Sequence, residues 1–143
     1  MSIKVSQVRS AIAAKVEALP GFKELPFPGE YLGRVQNSIA HKGFAVSVEN
    51  SLAAEDRQAR RSPYYLNTAI RVKFAYRLRP HSVIDDYGLA MDSEQDVLVA
   101  VLGNYVASRP GLQVRYTRSL RNFTDSLEYI IIELELNALH HIN

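Results

Sequence analysis

Apolar residues recur at steps of three and four along Val5, Val8, Ile12, Val16 and Leu19, a spacing that lines one face of a helix over residues 5–19. Ser2 or Ser6 is placed to cap it. Pro20-Gly21 ends it, because proline disfavours helical geometry in the residue before it and glycine permits the turn that follows. Residues 22–33 set Phe22, Leu25, Phe27 and Tyr31 among Pro26, Pro28, Gly29 and Gly33, which predicts an ordered loop laying aromatic rings on a core. The pattern then changes to alternation: Phe44, Val46 and Val48 give a half-buried strand introduced by Gly43. Residues 53–63 are dense in charge and hold no large apolar side chain, so nothing there offsets the entropy of ordering and the segment reads as a mobile hairpin loop.

The clearest alternation follows, with Leu66, Thr68, Ile70, Val72, Phe74, Tyr76 and Leu78 on one face and Asn67, Ala69, Arg71, Lys73, Ala75, Arg77 and Arg79 on the other. Pro80 closes it. Asp92-Ser93-Glu94-Gln95 reads as a capping box with acidic groups in a first turn, opening a helix over residues 93–108 that Pro110-Gly111 stops. Its apolar positions are Val97, Leu98, Val101, Leu102, Tyr105 and Val106. A strand over 112–120, a turn over 122–126 and a last strand over 127–138 complete the chain, with Ile130, Ile132, Leu134 and Leu136 inward and Glu133, Glu135 and Asn137 outward. The order helix, hairpin, helix, hairpin predicts an α+β fold, an antiparallel or mixed sheet built from two hairpins with two main helices packed on one side.

Composition narrows the class without naming a function. A length of 143 residues with 47% hydrophobic side chains suits one core, so residues 1–143 are expected to form a single domain. No apolar run approaches the roughly 20 residues a membrane helix needs, and MSIKVSQVRS lacks the apolar run of a secretory leader. With no cysteine there are no disulfides, thiolate nucleophiles or thiolate-bound metals. The net charge of +2 does not by itself demand a nucleic-acid partner.

Catalytic and metal chemistry finds little to work with. His41 and His81 stand alone, and the adjacent His140 and His141 would point to opposite faces of a strand, so a terminal tail is the simpler reading and no metal or cofactor is expected. No phosphate-cradling glycine loop, nucleophile elbow or dinucleotide fingerprint occurs, leaving an acid–base pair of Asp85 or Asp86 with His81 as the minor enzymatic reading. The basic residues are more suggestive. Arg71, Lys73, Arg77 and Arg79 share one strand face while Arg115, Arg118 and Arg121 stud the hairpin opposite, a stripe able to bind phosphate in a small nucleic-acid-binding domain. Against that, Glu133 and Glu135 fall across from Arg71 and Lys73 as cross-strand pairs. Arg57, Arg60 and Arg61 in the charged loop, with Tyr64 and Tyr65 after Pro63, form a second candidate surface suited to a protein partner.

The amphipathic first helix, the strand FAVSVENSL, the charged hairpin loop, the strand TAIRVKFAYRL closed by proline, the helix opened by DSEQDVL and the hairpin TDSLEYIIIELEL together resemble the tail-terminator proteins of long-tailed bacteriophages. The likeness covers nearly the whole chain in the order and length of its elements. It implies a structural virion protein without catalysis, assembled in the host cytoplasm as a hexameric homo-oligomeric ring. That ring would sit at the head-proximal end of the tail tube, with the tube protein and the neck or head-completion proteins as partners and DNA only in transit. Another neck or joining protein of the same interface would look alike. Residues 21–33 and the basic Arg57, Arg60 and Arg61 depart from that pattern. A ring of this kind stops a tube by offering one complementary face and one that accepts no further subunit, and the loop over residues 53–63 is the segment expected to order against a neighbour.

Overall fold

The computed structural model of the chain describes residues 3–25, 40–53, 65–103 and 112–142. Outside them lie the Pro/Gly segment beyond Leu25, Arg57, Arg60, Arg61 and Tyr64 of the charged loop, and Tyr105, Val106 and Pro110-Gly111. The elements run α1 (Val5–Glu17), β1 (Lys23–Glu24), β2 (Gly43–Ala53), β3 (Tyr65–Arg77), α2 (Val83–Leu102), β4 (Leu112–Phe123) and β5 (Tyr129–His141). The sheet order is β1-β2-β3-β5-β4, with β1 parallel to β2 and every other pair antiparallel. Two hairpins therefore meet through their longest strands, and the fold is the α+β domain that the alternation implies.

Both helices lie on one face. Val8, Ile12 and Val16 of α1 and Ala90, Val97 and Val101 of α2 share a core with Phe44, Val46, Ile70, Val72, Phe74, Ile130, Ile132, Leu134 and Leu136 of the sheet. Each large side chain so buried contributes roughly 1.5–3 kcal/mol of transfer free energy. Gly21, at φ +81°, supplies the left-handed turn after α1 and swings Phe22 back edge-on to Phe74, ring centroids 5.3 Å apart. On the opposite face a small second cluster joins Ala45, Ala75 and Ile131 with Leu25 and Tyr129.

Four sequence expectations need correction. Ser6 does not cap α1, and Ser2 lies outside the described residues: Lys4 is the N-cap, and its N–H donates to the Gln7 side-chain oxygen at 2.8 Å. The segment after Phe22 contributes the two-residue β1, which no alternation could have announced. α2 starts at Val83 rather than at Ser93, so Asp92–Gln95 is mid-helix and Ser93 and Glu94 are buried. The inward stripe runs Asp86, Ala90, Ser93, Glu94, Val97, Val101, a helical spacing masked because its first half is polar. Last, His140 is no tail but a fully buried member of β5.

Two β-bulges set which side chains share a face. The register of β2 on β3 shifts between Val48 and Asn50, and that of β4 on β5 between Tyr116 and Arg118. A one-residue slip sends everything beyond it to the other side of the sheet. Ser51 thereby comes opposite Thr68 on the core side, and Arg121 comes opposite Ile132.

Candidate functional site

The open face of the sheet carries the charges singled out in the sequence. β3 and β5 place Arg71 opposite Glu135 and Lys73 opposite Glu133, the cross-strand arrangement that the alternation predicts. Arg71 is the hub: its guanidinium reaches Glu133 at 3.0 Å, Glu49 at 3.1 Å and Glu135 at 3.5 Å. Glu49 is the residue thrown out by the first bulge. Arg118 completes the network with Nε 2.6 Å from Glu135. Its hydrogen bond holds the Glu135 carboxyl below the ordinary value against the burial that pushes it up, and the charges of Arg118 and Arg71 add to the lowering.

The expected basic stripe is therefore broken up. Arg79 lies past the end of β3, and its backbone N–H, Nε and Nη2 all donate to Asp86 of α2 at 2.8–3.1 Å. Arg121, turned to the helix side by the second bulge, donates Nε to buried Glu94 at 3.0 Å. Lys73 and Arg77 remain without an ion pair among the described residues. Of the tyrosine pair, Tyr65 is half-buried, its ring edge-on to that of His141 at 4.7 Å.

At the far end of β3, His41, Tyr76, Arg77, Arg79, Asp86 and Leu89 line a cleft of about 270 Å³. The Arg77 N–H donates to His41 Nδ1 at 3.1 Å, which leaves the proton of a neutral imidazole on Nε2. Burial lowers the pKa of His41, as do the charges of Lys42, Arg77 and Arg79, against the opposite pull of Asp86. Burial also raises that of the Tyr76 phenol, helped by Asp86. Asp86 itself is held down to about 2, chiefly by the hydrogen bonds from the Arg79 side chain and backbone. An acid so placed, its oxygens engaged by Arg79 and by Ser82 Oγ at 3.2 Å, neither takes nor gives a proton near neutrality. His81 and Asp85 are exposed outside the cleft, so the acid–base pairing considered from the sequence is not assembled.

Set beside known proteins, the chain matches no family model and no curated sequence.

His140 is the polar residue that sequence reasoning missed. Its Nδ1 donates to the Ile3 carbonyl at 2.9 Å, which fixes the tautomer, so Nε2 accepts from Thr68 Oγ1 at 2.8 Å. Thr68 in turn accepts from Ser51 at 2.9 Å. Hydroxyls at 51 and 68 were visible in the sequence. Their alignment with position 140 depends on the first bulge and a pairing 72 residues long in sequence separation.

Two unlike surfaces are left open by the described residues. Among these β4 is one of the two edge strands, paired to β5 alone, and it exposes Tyr116 and Phe123. The outer side of α2 exposes Ile84 at 86% and Val99 at 63%. Among the described residues no helix is long and apolar enough to cross a membrane.

Proposed function

We propose that this protein is a structural assembly subunit of the tail-terminator kind, forming a homo-oligomeric ring that caps the head-proximal end of a phage tail tube and offers the neck its attachment surface. The observation that carries the reading is a pair of unlike surfaces that no described residue covers, the β4 edge and the outer side of α2, where Ile84, Leu89 and Val99 are exposed among Asp85, Asp92 and Asp96, on a sheet whose own charges are largely neutralised within the chain. A closed ring of identical chains uses such a heterologous contact, one patch against a different patch of the neighbour. Free strand edges are otherwise kept short or shielded, because they invite further pairing. β2 follows that rule: Arg9, ion-paired to Glu24, donates Nε to the Val46 carbonyl at 3.0 Å. β4 has no equivalent among the described residues. The element order and the two joined hairpins agree with the resemblance on which the hexamer, the virion location and the tube and neck partners rest. Another neck component of the same interface shares every one of these supports.

A nucleic-acid-binding domain is the weaker reading, since Arg71 is held by three carboxylates and Arg79 by Asp86, leaving few cations for phosphate. Sedimentation velocity of the purified chain, alone and with tail-tube subunits, tests the proposal at low and high salt. A closed ring, alone or on the tube, whose stability changes little with ionic strength is expected. A chain that stays monomeric beside tube subunits yet binds oligonucleotide with a steep salt dependence overturns it.

A further inference from the structure

We propose that the cleft between the end of β3 and the first turns of α2 is a docking site for an acidic side chain of a protein partner, with Arg77 as its principal ligand. Arg77 is exposed, its guanidinium makes no ion pair among the described residues, and it lines the same cleft as the buried Asp86, which Arg79 has taken. Arg79 spends Nε and Nη2 on Asp86 and leaves Nη1 available, with the side chain 64% exposed. His41, whose Nδ1 is occupied by the Arg77 N–H, presents a third donor at Nε2. Donors thus line a cleft whose one carboxylate, Asp86, already accepts from Arg79 on both oxygens.

The chemistry favours a carboxylate over a phosphate. With His41 neutral, Arg77 and Arg79 against Asp86 leave the lining a single positive charge in excess, which matches a carboxylate and falls short of a phosphate dianion. Leu89, half exposed, and the ring of Tyr76 give one wall apolar character, suited to the methylene stem of a glutamate. A volume of about 270 Å³ has room for a side chain of that size. Lys42 is not part of the lining: its Nζ donates to the Pro20 carbonyl at 3.3 Å and lies over the Phe22 ring, although its charge still acts on His41.

The test is a titration of the ¹⁵N-labelled protein, followed by amide and side-chain resonances, with capped acetyl-Ala-Ala-Glu-Ala-Ala-amide, its glutamine counterpart and inorganic phosphate. The glutamate peptide is expected to shift His41, Arg77 and Arg79 saturably and to raise the pKa of His41, since a bound anion offsets the cations around it. Arg77→Gln, whose folding the amide spectrum verifies, should weaken binding about tenfold or more, the loss of one charge-assisted contact. Leu89→Glu, which supplies the cleft with its own carboxylate, should abolish peptide binding without touching Arg77. Equal response to the glutamine peptide, tighter capture of phosphate, or unchanged affinity in Arg77→Gln overturns the proposal.

Discussion

Replacing His140 by alanine tests whether the ends of the chain are held by a buried hydrogen-bond relay or merely lie beside each other. Two hydrogen bonds, to the Ile3 carbonyl and from Thr68, would disappear. At a net value of about 1 kcal/mol each, with roughly as much again for the carbonyl and hydroxyl left buried without a partner, the expected loss is about 3–4 kcal/mol. That is a large part of the total stability of an ordinary domain, about 5–15 kcal/mol. For a chain of this length it corresponds to a fall in Tm of about 12 °C. Thr68→Val keeps the shape and removes only the hydroxyl, so about 1–2 kcal/mol is expected. Because the two side chains touch, the double variant should lose less than the sum of the singles by about 1 kcal/mol. Urea unfolding at pH 7.5, with hydrogen exchange at the Ile3 amide as a local reporter, measures all three. A loss below about 1 kcal/mol for His140→Ala, or strict additivity with Thr68→Val, would refute the relay.

Two further predictions concern α2. Arg121→Ala strands the buried Glu94 carboxylate, but the arginine is 41% exposed, so the cost is expected near 2 kcal/mol rather than the full value of a buried pair. Were Glu94 a first-turn residue facing water, the same variant would cost a few tenths of a kcal/mol, and thermal unfolding distinguishes the two. Asp86 has a folded-state pKa of about 2, below the 3.8 of an unperturbed aspartate, so its contribution to stability is fully present above pH 4 and is lost as pH falls towards 2. The stability gap between wild type and Asp86→Asn should accordingly close between pH 4 and pH 2 in urea titrations; a gap that is constant or widens on acidification contradicts the assignment.

What could be read from the sequence follows from the range of the forces involved. β3 was legible because both of its faces obey the pleat from Leu66 to Leu78 and its apolar side meets a core, so local pattern and tertiary burial agree. The pairing of Arg71 with Glu133 and Glu135 followed from the same alternation once β3 and β5 were set antiparallel. α2 was half legible. From Val97 on, its inward stripe is aliphatic, whereas before that point Asp86 and Glu94 occupy inward positions that an apolar periodicity does not register, and their partners Arg79 and Arg121 come from outside the helix. Ile84 and Val83, exposed at its start, invert the pattern further. Which way Arg118 and Arg121 point was not legible for a related reason: side-chain parity counts correctly only as far as the next bulge, and both lie beyond one. The cleft at the end of β3 was not legible, since His41 from the turn before β2, Arg77 from β3 and Asp86 from α2 meet there from three separate stretches of the chain.

The Ile3 N–H donates to the His141 carbonyl at 2.7 Å, and the Ile3 side chain is itself buried. Any extension of the polypeptide at either end must therefore leave from a single spot beside the last strand. A short peptide bridging that gap would convert the chain to a circle, after which new termini cut elsewhere would preserve every strand pairing. Affinity handles added at opposite ends would crowd the same neighbourhood, whichever end carried them.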